Sequence, residues 1–291
     1  MIRIEGLEFS YSEVFDTCLA GVNGNDELKE CLSNNKEDLD IAVAEYIDRG
    51  HQGTLSSIAP LTSDMGINPI LLNGITKKNL ISLYSYYFVK KSKPNARRIY
   101  DKIMSLANDK CPFCGGIGKP ENLDHYLAKK YFPQFSILPQ NLIPSCRDCN
   151  MGGKGQTLAA TAAEQVIHPF LDHEKFFNEQ WIFAEYQPSD VDNDQGVISY
   201  YVNPPEYWCD IDKSRVELHF LAFNLAEVYS LQAAENLNII FKQIEGVRKF
   251  CTNDEKIIAS LLQGPLGEIK EPNHWRKGFF QALINYLSRV D

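Results

Sequence analysis

Apolar and polar positions along this chain follow helical and strand-like periods in turn. Leu28, Cys31, Leu32, Leu39, Ile41, Ala42, Ala44, Tyr46 and Ile47 recur at mixed spacings of three and four, which predicts helix over 26–50. Glycine, proline, serine and asparagine dominate 51–75 and predict irregular structure. The aromatic run 79–89 reads as a buried helix. Its tyrosines could stack on bases, but Leu80 and Leu83 at helical spacing assign 84–88 to a core. Residues 90–94 interrupt the pattern, and Asn95 is placed to cap a helix through Ile99, Ile103 and Leu106 that leads into Cys111. Segments 121–124 and 137–143 read as short strands, and 150–163 as a helix. Segments 181–186 and 196–202 read as a hairpin around a polar loop. Helical periodicity resumes over 212–224, 225–247, 254–263 and 273–289. The fold class expected is α+β, mostly helical.

The length of 291 residues suggests about two domains. The pattern divides the chain into a helical region 1–94, a central segment 95–172 and a hairpin-plus-helix region 173–291. With 44% hydrophobic and 23% charged residues the composition is that of a globular protein, which excludes a disordered, collagen-like or rod-like chain. No apolar run approaches the roughly 18 residues of a membrane span, and Met1 to Gly6 has no signal-peptide pattern. A cytoplasmic protein with no membrane partner is expected.

Charge changes the picture. The net charge is −9, yet 77–156 holds fourteen lysines and arginines against five acids, a net +9 against −18 for the remainder. A concentrated basic segment attracts phosphate backbones. The same segment holds two cysteine pairs, Cys111-Pro-Phe-Cys114 and Cys146-Arg-Asp-Cys149, with 31 residues between them. Two such knuckles predict one tetrahedral four-cysteine zinc site. Cys18, Cys31, Cys209 and Cys251 sit among apolar neighbours and read as small core residues.

Between the knuckles stand Asp124-His125 and Asn141, and Asn150 follows the second knuckle. Adjacent residues on a strand point to opposite faces, so one of the pair can bind a metal while the other activates water. Asn150 can add a neutral oxygen ligand of the kind a hard Mg²⁺-like ion prefers. This is a candidate one-metal phosphodiester hydrolysis site.

The strings Leu-Asp-His-Tyr-Leu-Ala-Lys, Pro-Gln-Asn-Leu-Ile-Pro-Ser-Cys-Arg-Asp-Cys-Asn and Gly-Gly-Lys-Gly resemble the HNH endonucleases, whose ββα-metal fold is here combined with a four-cysteine zinc. The Asp-His/Asn/Asn version is similar to the HNH domains of CRISPR effector nucleases. The resemblance implies His125 as general base, Asp124 and Asn150 as ligands of a catalytic Mg²⁺ or Mn²⁺, and Asn141 as a brace for the ββ loop. It implies Lys154 as a phosphate contact, and Lys129 and Lys130 of the basic segment are further candidates for the nucleic-acid track. Arg98 and its i+4 neighbour Lys102 share a helix face and are further candidates for phosphate backbone, whereas Arg97 points elsewhere and is expected to brace the helix. Two departures stand out: Ala128 where many relatives carry proline, and Asn150 where many carry histidine.

The flanking pieces Arg98-Ile99-Tyr100-Asp101, His168-Pro169-Phe170 and Tyr201-Val202-Asn203-Pro204-Pro205 look like stand-alone bacterial HNH proteins of anti-phage defence, some of which work with an ABC-type ATPase as in Septu-like systems. The activity implied is metal-dependent cleavage of double-stranded DNA. One site for two strands makes a homo-oligomer or a partnered assembly plausible. The alternatives are an HNH-fold ribonuclease and a non-catalytic zinc-ribbon module for nucleic-acid binding or assembly. His168 reads as a packing or supporting residue.

Overall fold

A computed structural model describes residues 1–153, 158–191, 195–251 and 253–288. The chain divides into two compact units, Arg3–Asp172 and His173–Asp291, the latter joined by Met1–Ile2. Helices predominate, and each sheet has two strands, so the α+β, mostly helical class holds.

Local chemistry sets the element ends in the first unit. Helix α1 (Tyr11–Ala20) opens on a capping box, in which Ser10 Oγ accepts from the Glu13 amide at 3.2 Å and the Glu13 carboxylate accepts from the Ser10 amide at 2.8 Å. The helix expected over 26–50 is broken into α2 (Asp26–Asn34) and α3 (Lys36–His51). Asn35 sits between them at φ −110°, ψ 10°, and its Nδ2 donates to the carbonyls of Cys31 at 2.8 Å and Asn73 at 3.3 Å. Such side-chain to backbone bonds compete with helix continuation.

A small hairpin, β1 (Ile70–Leu72) and β2 (Ile75–Thr76), lies inside the stretch read as irregular. The aromatic run forms α4 (Lys77–Ser82) followed by a π-helical turn over Leu83–Phe88. Helix α5 (Pro94–Ser105) begins with Pro94 in its first turn and Lys93 as its cap, not with Asn95. Proline lacks an amide that would be unsatisfied there anyway, so it starts the helix two residues earlier.

Strands β3 (Asn122–His125) and β4 (Leu142–Ser145) pair antiparallel, with Asn122 opposite Ser145 and His125 opposite Leu142. The second strand begins later than the expected 137–143, because Pro139 initiates a 3-10 turn over Pro139–Asn141. The helix expected over 150–163 is not found among the described residues. The chain there makes a single π turn over Cys149–Gly153 and a 3-10 turn over Ala162–Glu164. Gly152 and Gly153 are poor helix formers, which removes the support that the alanines downstream would have extended.

The second unit is built on ordinary apolar packing. After α6 (Lys175–Asn178), strands β5 (Ile182–Gln187) and β6 (Val197–Val202) form the expected hairpin. Helices α7 (Asp210–Ala222), α8 (Leu225–Arg248), α9 (Asp254–Ile258), α10 (Gly264–Gly267) and α11 (Trp275–Leu287) follow. Helix α11 packs on β5 and α8 on β6, burying Trp181, Tyr229 and Phe279. Buried Asn273 accepts the amides of Trp181 at 2.8 Å and Ile182 at 3.0 Å, satisfying backbone that would otherwise be stranded in the core.

Of the four scattered cysteines only Cys18 is a core residue, its thiol pushed up to about 12 by burial. Cys31 and Cys251 are partly exposed and Cys209 is exposed. Cys209 caps α7, where its thiol meets the Asp212 carboxylate at 3.0 Å, so its position follows from a helix start and not from apolar neighbours.

Gly196 enters β6 at φ +76°, and a Cβ there would lie 2.1 Å from the Gln187 carbonyl oxygen. Gly196→Ala is therefore expected to destabilise the hairpin by about 1–3 kcal/mol. Denaturant unfolding would check this, with an unchanged midpoint as the contrary result.

Candidate functional site

The four knuckle cysteines are buried together, and their sulfurs all lie within 4.8 Å of one another. A tetrahedral zinc with Zn–S bonds of about 2.3 Å needs sulfurs about 3.8 Å apart, so the cluster can hold a metal such as zinc. The backbone is shaped for it. Asn108 and Asp109 take left-handed conformations at φ 47° and 60°, turning the chain out of α5 toward Cys111. Gly115 and Gly116 turn it again at φ 66° and 90°. The Cys111 amide then bonds the Gly118 carbonyl at 2.9 Å, and the Gly118 amide donates to Cys114 Sγ at 3.3 Å. An amide aimed at sulfur stabilises the thiolate that a metal requires.

From this cluster the chain runs directly into β3 and returns along β4. Burial alternates along β3, with Leu123 and His125 inward and Asn122 and Asp124 half-buried. The outer edge of β3 is closed by two tyrosines: Tyr84 donates to the Leu123 carbonyl at 3.0 Å, and Tyr100 accepts its amide at 3.2 Å. Burial raises the Tyr84 phenol well above its usual range, so it stays a donor.

His125 closes the strand and is 5% exposed. Its Nε2 lies 2.9 Å from the Ser136 carbonyl, and the Tyr84 ring meets it edge-on at 4.4 Å. Ser136 is pinned in turn, its hydroxyl donating to the Leu80 carbonyl at 2.7 Å. Asn141 is fully buried and spans the loop between the strands. Its Oδ1 accepts from the Leu127 amide at 2.7 Å, and its Nδ2 donates to the carbonyls of Leu127 at 3.1 Å and Phe135 at 3.0 Å. Asn150, in the turn after the second knuckle, donates Nδ2 to Asn122 Oδ1 at 2.8 Å. Asn122 and Asp124 share one face of β3. Asp124, His125 and Asn141 thus gather at one end of the β3–β4 hairpin, and Asn150 is tied to the strand that bears Asp124.

The basic residues divide. Lys129 is half-buried, with Nζ 4.6 Å from the centre of the Tyr84 ring. Burial lowers its pKa, and the negative charge of Asp124 opposes the shift. Lys130 is exposed beside Tyr131. Arg98 and Lys102 are exposed on α5 and line an open groove with Lys91, Arg97 and Asp101. Arg97 braces the helix as the i, i+4 spacing implies, bonding Asp101 at 2.8 Å and the Val89 carbonyl at 2.9 Å. Lys154 lies outside the described residues.

Three residues that sequence reasoning kept out of the site belong to its surroundings. Tyr84 was assignable only to a core, because its helical spacing says nothing of the strand edge it covers. Tyr46 donates to Asn141 Oδ1 at 2.9 Å from a helix some 95 positions earlier. Ser136 acts through its carbonyl, which no side-chain pattern reveals.

A Cβ at Gly118 would fall 2.5 Å from Cys146 Sγ. Gly118→Ala is therefore expected to lower bound metal as Cys146→Ser does, with loss of fold because metal binding and folding are coupled. Elemental analysis and thermal unfolding of both variants check this. Full metal content in Cys146→Ser would refute the four-sulfur site.

No protein-family model matches the chain, and no solved structure matches it. Two known sequences are similar. Septu protein PtuB of Bacillus thuringiensis is 32% identical over 84 residues, 26% of this chain and 32% of that protein. Protein ea31 of Escherichia phage lambda is 37% identical over 226 residues, 74% of this chain and 75% of that protein. On the extent of that match, the chain belongs to the family of the phage lambda protein ea31.

Proposed function

We infer that this protein is an HNH endonuclease that hydrolyses DNA phosphodiester bonds with His125 as general base, carrying a structural zinc on Cys111, Cys114, Cys146 and Cys149, and that it serves anti-phage defence in the cytoplasm. The observation that supports this most is the bond between His125 Nε2 and the Ser136 carbonyl. A carbonyl only accepts, so in the neutral ring Nε2 carries the proton and Nδ1 carries the basic lone pair. A base held in one tautomer is ready to take a proton from water.

The donor set suits a hard divalent ion. Asp124 offers a carboxylate, and Asn150, with its Nδ2 committed to Asn122, offers Oδ1. Bound there, Mg²⁺ or Mn²⁺ would supply Lewis-acid stabilisation of phosphate charge. Lys129, held over Tyr84 beside the negative charge of Asp124, can meet a phosphate oxygen. Arg98 and Lys102 offer a backbone track along α5, and Lys130 and Lys154 extend the basic surface. The similarity to a Septu protein supports the defence role and, with the motif resemblance, an ABC-type ATPase partner. A single site per chain favours a homo-oligomer for cutting both strands.

Incubation with supercoiled plasmid and with total RNA, with Mg²⁺ or EDTA, tests the reading. Metal-dependent nicking is expected. Cleavage of RNA alone would make the protein a ribonuclease, and cleavage of neither a zinc-ribbon module. His125→Ala should lower nicking by about 10²–10⁴-fold with folding and zinc intact, and a wild-type rate would remove His125 from catalysis. Asp124→Ala should lose activity that excess metal partly restores. In the His125→Ala background, reversing Arg98 and Lys102 to Glu should weaken binding equally for several duplexes and flatten its salt dependence. An unchanged slope would move the track to Lys129, Lys130 and Lys154.

A further inference from the structure

Three side chains with almost no exposure form a hydrogen-bonded line within Arg3–Asp172: His168 at 1%, Tyr46 at 0% and Asn141 at 0%. His168 Nδ1 accepts the amides of Phe170 at 3.2 Å and Leu171 at 3.3 Å, so Nδ1 holds no proton and Nε2 does. Nε2 lies 3.2 Å from the Tyr46 hydroxyl and donates to it. The Tyr46 proton is thereby directed to Asn141 Oδ1 at 2.9 Å. An oxygen that receives both Tyr46 and the Leu127 amide fixes which way the Asn141 amide faces, and its Nδ2 must then hold the carbonyls of Leu127 and Phe135. The next residue after Phe135 is Ser136, whose carbonyl accepts a hydrogen bond from His125 Nε2.

We propose that Tyr46 and His168 are positioning residues for His125, acting through Asn141 and the loop 127–136 to set the tautomer and direction of its ring. This rests on the reading of His125 as the general base. Burial holds the Tyr46 phenol well above its ordinary range, so the donor persists wherever the protein is folded. The aromatic rings clamp the line in place, with Phe135 4.8 Å from Tyr46 and Tyr126 4.2 Å from His168. A packing role alone would require the rings and not the hydroxyl. The geometry gives the hydroxyl a role, because it accepts from one buried group and donates to another.

Tyr46→Phe keeps the ring and removes the relay. Its kcat for plasmid nicking should fall about 10- to 100-fold, the range typical of outer hydrogen-bond partners of a site, with KM and zinc content near wild type and a lower unfolding temperature, because the buried bonds to His168 and Asn141 are lost. In ¹⁵N-labelled protein without substrate, the His125 imidazole should change from a single Nε2–H tautomer to a mixture, with faster exchange of that proton. His168→Gln, which retains an N–H donor, should restore much of the rate that His168→Leu loses. This pair serves if Tyr46→Phe fails to fold. An unaltered His125 spectrum in Tyr46→Phe and His168→Leu overturns the proposal, whatever happens to the rate, since any loss would then bypass the ring. The spectrum needs no turnover. If His125→Ala nicked at the wild-type rate, the base reading would fail while the spectrum still decided the relay.

Discussion

Four sulfurs gathered within 4.8 Å of one another join stretches of chain separated by 31 residues, and what lies between them is the site. A two-stranded hairpin of four residues per strand is marginal in water by itself. Here one end is gathered by the cysteine cluster, and a metal held there would remove the loop-closure entropy that otherwise opposes pairing of β3 with β4. The close approach of Gly118 to Cys146 and the left-handed turns around the first knuckle exist to bring the sulfurs together. Asp124, His125, Asn141 and Asn150 all depend on that closure, because each sits on or next to the segment it constrains.

The other end of the hairpin is held by polar bonds. Asn141 satisfies Leu127 and Phe135, Ser136 is tied to α4, and Tyr84 and Tyr100 cover the open edge of β3. An uncovered strand edge would invite pairing with another chain. Buried polar groups of this kind are costly when incomplete and specific when complete. They hold an arrangement in which His125 meets a fixed acceptor on one nitrogen, which a purely apolar loop could not provide. The C-terminal unit works differently: a hairpin flanked by α8 and α11 gains its stability from buried rings, with Asn273 supplying the few polar bonds the core needs.

The sequence by itself determined the class of fold, the hairpin of the second unit, the four-cysteine cluster and the grouping of Asp124, His125 and Asn141. All of these rest on short-range spacing, on strand alternation, or on residue types with one dominant chemistry. It also carried the contrast between Arg97 and its neighbours, because i, i+4 geometry is local. The helix break at Asn35, the start of α5 at Pro94 and the absence of an extended helix over the described part of 150–163 were decided by individual backbone bonds and glycines that periodicity averages away. Only the tertiary structure decided that Tyr84 faces His125, that Tyr46 reaches Asn141 and that a serine carbonyl sets the histidine tautomer. Those contacts join positions 11 to 95 residues apart, and two of them use groups, a backbone oxygen and a core phenol, whose partners depend on packing and leave no pattern in the order of residues.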